Sequence, residues 1–103
     1  HVGGAFGDIG KLTPQYMDGI RARDEIYLRT IVEQDKDGML NHIAEDRDAR
    51  RICGFPTMYT LLDVLDRLDL NCRGQLFDYS QAVDYQTDCA VTFAGIGLYA
   101  QQR

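Results

Sequence analysis

Two glycine-centred stretches constrain this chain more than any other feature. The first is Glu33-Gln34-Asp35-Lys36-Asp37-Gly38-Met39-Leu40-Asn41-His42-Ile43-Ala44-Glu45, and the second is Asp69-Leu70-Asn71-Cys72-Arg73-Gly74-Gln75-Leu76-Phe77-Asp78-Tyr79-Ser80-Gln81. Superimposed, they place acid on acid (Glu33, Asp69), Asp35 on Asn71, Gly38 on Gly74, Leu40 on Leu76 and Glu45 on Gln81. The glycines stand 36 residues apart. Self-similarity at such a period is the signature of a repeated supersecondary unit.

Oxygen-bearing side chains at the first, third and fifth positions with glycine at the sixth outline a helix–loop–helix cation loop. At these residues the chain resembles the EF-hand superfamily, in the calmodulin-like paired arrangement, over roughly residues 13–86. The resemblance implies an all-α fold: an EF-hand-like pair of four helices with a short two-stranded pairing between the loops at Leu40 and Leu76. The twelfth positions, where the family carries a bidentate Glu, hold Ala44 and Ser80, so the pair is degenerate. Calcium at the first loop, which the resemblance implies, would be held by Glu33, Asp35, Asp37, the Met39 carbonyl, Asn41 and Glu45. The second loop offers Asp69, Asn71 and Gln75, but Arg73 occupies the fifth position and repels a cation.

Thr13-Pro14 is a helix start, with Thr as N-cap and Pro in the first turn. Tyr16, Ile20, Tyr27, Leu28, Ile31 and Val32 then recur at helical spacing, with Arg21, Arg23, Asp24 and Glu25 on the other face. An exiting helix is expected from Asn41 to about Cys53, with residues 45–51 as its solvated face and His42 at the surface. Thr57 is expected to cap the next helix, whose stripe is Met58, Leu61, Leu62, Leu65 and Leu68. Beyond Asp88, Cys89 to about Gln102 reads as a helix that is apolar nearly all round. The alternative is that Cys89 to Tyr99 is partly strand, given Val91, Thr92, Phe93 and Ile96. The expected divisions are a flexible lead (1–12), the paired unit (13–87, loops 33–45 and 69–81) and an apolar C-terminal helix (88–103).

The chain has 103 residues and a formal net charge of −5, which disfavours nucleic-acid binding, since phosphate contacts need clustered Lys and Arg. Three cysteines without CxxC spacing point to buried free thiols in an intracellular, reducing compartment, cytoplasmic or organellar. No apolar run is long enough to span a membrane. The chain opens on His1 rather than Met, which suggests a fragment or a processed product. No catalytic motif surrounds any cysteine, so an enzyme is not expected. The expected function is a non-catalytic interaction module that binds an amphipathic or apolar partner helix through Leu61, Leu65, Phe93, Ile96, Leu98 and Tyr99. The alternatives are a one-site calcium sensor, or an unrelated helical subunit of a larger assembly.

Overall fold

The computed structural model describes residues 1–101. A 3-10 turn at Gly4–Phe6 is followed by three helices, α1 (Pro14–Val32), α2 (Lys36–Glu45) and α3 (Phe55–Arg67). Two long strands, β1 (Cys72–Asp84) and β2 (Cys89–Ala100), follow. The fold is therefore mixed helix and strand, which corrects the all-α expectation.

Helix α1 begins as its sequence dictates, because the Thr13 hydroxyl accepts from the Tyr16 amide at 3.0 Å and Pro14 opens the first turn. It stops at Glu33, and Gln34 turns the chain with a left-handed φ of 53°. Asp35 then caps α2, accepting from the Gly38 amide at 2.9 Å. That bond is the physical reason the first expected loop does not form. A carboxylate that caps a helix nucleates it, so Lys36–Glu45 coils where a calcium loop would have stayed open. Glycine suits position 38, since a Cβ there would collide with the Asp35 carboxylate. Helix α2 ends at Glu45 rather than near Cys53, and Leu40 lies exposed on it.

The second expected loop is strand. Gly74 sits in β1 facing the end of α1, where a Cβ would come within 2.7 Å of the Val32 Cα, so glycine serves close approach there. Strand β1 pairs antiparallel with β2, from Cys72 opposite Ala100 to Asp84 opposite Cys89, with a bulge at Phe77. Leu76 lies opposite Ile96, and the expected Leu40–Leu76 strand contact is absent. The Asp84 carboxylate accepts from the Gln86 and Thr87 amides, and Asp88 has φ 50°, which closes the turn. The expected C-terminal helix is thus the second arm of a hairpin, and Cys89–Ala100 is strand throughout, beyond the partial strand given as the alternative. β-branched and aromatic residues interleaved with Gly95 and Gly97 are poor material for a helix.

The main core joins Tyr27, Leu28, Ile31, Met39, Ile43 and Leu62, with Leu65, Ile96 and Leu98 packed against it. A smaller core gathers Val2, Leu12, Met17, Ile20 and Ala90. Val2 and Ala90 exchange backbone hydrogen bonds at 3.0 Å, so the first residues are bound to the hairpin. Beyond these cores the hairpin overhangs. The radius of gyration is 15.0 Å, against about 13 Å for a compact domain of this length.

Candidate functional site

Three left-handed residues, Arg47, Asp48 and Arg51, coil the segment between α2 and α3. Asp48 secures the coil, its amide donating to the Ile43 carbonyl and its carboxylate accepting from the Ile52 amide, both at 3.0 Å. The coil turns Arg50 inward, 5% exposed, while Arg51 stays near the surface. Inside, Arg50 Nη1 donates to Asp24 Oδ1 of α1 at 2.5 Å, and Nη2 donates to His42 Nε2 of α2. The second Asp24 oxygen accepts from the Tyr79 hydroxyl of β1 at 2.6 Å. Gln81 Nε2 donates to that hydroxyl at 2.9 Å and to the Met17 carbonyl at 3.1 Å. The Arg21 guanidinium covers the Tyr79 ring, 4.8 Å from its centre. One buried ion pair therefore ties together α1, α2, the coil and the hairpin.

The environment sets the protonation of this network. Burial and the neighbouring Arg50 charge lower the His42 pKa, and the bond from Arg50 requires an unprotonated Nε2, so His42 is neutral with its proton on Nδ1. Burial, and for Tyr79 also the Asp24 carboxylate, push Tyr27 and Tyr79 up to about 12. Among the described residues Tyr27 Oη, His42 Nδ1 and Arg50 Nε are buried without a hydrogen-bond partner.

Beside the network lies a cavity of about 430 Å³, lined by apolar side chains that include Ile20, Leu28, Ile31, Met58 and Ile96. Asp24, Arg50 and Tyr79 form its polar floor, while the exposed Cys53, Phe93 and Ala94 mark its mouth.

The residues expected to hold calcium do not converge. Glu33 and Asp35 terminate helices, Asp37 and Asn41 are exposed on α2, and Met39 is fully buried within it. Glu45 pairs with Arg23 at 2.9 Å. Asp69 is left-handed at the end of α3, Asn71 follows it, and Gln75 lies on β1 opposite Gly97. Among the described residues no group of three or more His, Cys, Asp or Glu side chains is placed to hold a metal ion. Of the expected partner contacts, Phe93 and Ile96 reach the cavity, and Leu65, Ile96 and Leu98 belong to the main core. Leu61 is half-buried and Tyr99 is exposed.

Asp24, His42 and Arg50, expected on solvated faces, are instead buried. The signal for Asp24 is in its spacing, four residues from Ile20 and Leu28 and three from Tyr27, within the apolar stripe of α1. A charge so placed must find a buried partner. Cys53 is exposed, against the expectation of buried thiols, and Cys72 and Cys89 are half-buried free thiols.

Helices backed by a long hairpin, with a charged floor beneath an apolar cavity, define a mixed α and β segment unlike any paired EF-hand. Residues 1–97 match the family model described as Memo-like protein, and the chain belongs to the Memo-like family. A MEMO1 family protein of Aquifex aeolicus (strain VF5) is 30% identical to it over 99 residues, 96% of this chain and 25% of that relative. The chain thus spans about a quarter of the length of the curated relative it matches. No solved structure matches it. This family, with the helix at 36–45 and the strands at 72–84 and 89–100, overturns the EF-hand resemblance and the function drawn from it. No helix among the described residues is long and apolar enough to cross a membrane.

Proposed function

We propose that this chain forms a non-catalytic binding wall of a Memo-like protein, and that its cavity takes up a small apolar molecule. The observation that carries this reading is a cavity of about 430 Å³ whose walls are largely apolar and whose polar floor is held by its own bonds. Pockets of that size and lining are the usual form of a small-molecule site. The floor is suited to holding shape. Both Asp24 oxygens and His42 Nε2 accept hydrogen bonds from within the protein, which fixes the orientation of both side chains. Phe77 and Tyr99 remain exposed on the hairpin. Their cover, on this reading, comes from protein, either a partner or further polypeptide in a family member as long as the Aquifex relative.

Nile red, which fluoresces in apolar surroundings, tests the proposal by titration with the purified protein. Saturable binding is expected, and Ala94→Trp, which fills the mouth from an exposed strand position, should abolish it. Binding that Ala94→Trp leaves intact would place the dye elsewhere and overturn the proposal.

A further inference from the structure

The charged side chains around this cavity are already matched. Asp24 is held by Arg50 at 2.5 Å and by Tyr79 at 2.6 Å, and the second Arg50 nitrogen is spent on His42. Arg51, the remaining charged side chain on the lining, is met from outside by Asp8, whose Oδ1 accepts from Arg51 Nη2 at 2.8 Å. Asp8 is itself held in place, its Oδ2 accepting from the Gly3 amide at 2.8 Å, directly after the left-handed Gly7. Arg51 Nη1 turns to the His1 and Ala49 carbonyls. His1 also spends its polar groups on the coil, its backbone nitrogen donating to the Arg50 carbonyl and its ring nitrogen bonding the Arg51 carbonyl.

We propose that the cavity selects an uncharged apolar molecule, and that Asp8, which lies outside the lining, sets this selectivity by cancelling the charge of Arg51. The inference rests on the binding role proposed above and names the ligand class for the same site. A charged ligand would have to leave water for a largely apolar space in which no charged side chain is free to pair with it, and that transfer is unfavourable. An uncharged ligand incurs no such cost. The guanidinium beside Asp8 holds the Asp8 carboxyl below the usual carboxylate range, so the cancelling charge persists into mildly acid solution.

Three eight-carbon probes separate charge from shape: octan-1-ol, octanoate and octylammonium, each displacing Nile red at pH 7. Octan-1-ol should act at a concentration about tenfold or more below either ion, the cost of placing an unpaired charge in an apolar site. Asp8→Asn keeps an oxygen for the Gly3 amide but frees Arg51, and should strengthen octanoate about three- to tenfold while octan-1-ol changes less than about twofold. Adding Arg51→Gln to Asp8→Asn should restore the original preference. Octanoate matching octan-1-ol in the unaltered protein, or failing to respond to Asp8→Asn, would overturn the selectivity while the cavity stands. A protein that binds neither dye nor alcohol would overturn the cavity reading together with this one.

Discussion

The helices and the hairpin solve the problem of burying apolar surface in opposite ways. Around α1–α3, Met39 and Leu62 are wholly buried, and a charged pair is enclosed with them. Along the hairpin, Phe77, Phe93 and Tyr99 are each more than half exposed. A two-stranded ribbon has no second layer of its own, and isolated hairpins are marginal in water. The helical part draws its stability from packing. The hairpin packs one face, through Tyr79, Ile96 and Leu98, on the main core and is pinned by Tyr79 on Asp24, Gln81 on Met17 and Ala90 on Val2.

The comparison breaks most sharply at Arg50. Arg50→Met strands Asp24 in the interior and should cost about 3–5 kcal/mol in urea unfolding. Pairing it with Asp24→Leu should recover most of that loss, and a double mutant no more stable than Arg50→Met alone would deny that the ion pair is the cause. Leu62→Ala comes next, opening a cavity worth about 3 kcal/mol. Phe77→Ser on the hairpin should move stability by less than about 0.5 kcal/mol, as surface substitutions do. Equal costs for these two would erase the distinction drawn above.

Tyr79→Phe should cost about 2 kcal/mol, typical of a hydrogen bond to a charged group. It should also raise amide hydrogen exchange in β1 more than in α2. The gentlest effect is a slope with pH. His42 is neutral and its folded pKa lies below its ordinary 6.5, so the unfolded chain binds the proton more readily. Stability should hold above pH 6.5 and fall as the solution is acidified through that value. Urea midpoints at pH 7.5 and 5.5 would show it, and His42→Gln, which keeps an acceptor for Arg50, should flatten the slope.

Much of the helical part was legible. Thr13-Pro14 marks the start of α1, and Met58, Leu61, Leu62 and Leu65 of the expected stripe fall on α3, although Leu68 lies exposed just past its end and Gly54, not Thr57, stands at its N-cap. Local signals succeed where capping and periodicity act within one or two turns. The hairpin is not legible in the sequence because Asp69, Asn71, Gly74 and Leu76 satisfy a loop pattern whose test is tertiary. Gly74 is required by the approach of Val32, which no window around residue 74 contains. The candidate site failed for the same reason. Asp24, His42, Arg50 and Tyr79 span 55 residues and meet only after folding, so the charge run at 45–51 resembles an ordinary solvated surface.

The seam between Val2 and Ala90 carries a kinetic consequence. Its two backbone bonds join residues 88 positions apart, the longest loop closure named in this molecule. Closing a loop of that length is entropically costly until the intervening chain is compact, whereas the turn at 85–88 lets β1 and β2 zip locally. The Val2–Ala90 seam is therefore expected to close late in folding, an order that pulse-labelled amide exchange at these two residues would check. Its docking completes the smaller core around Leu12 and Ile20, so the wall of the cavity on that side is finished only when the seam closes.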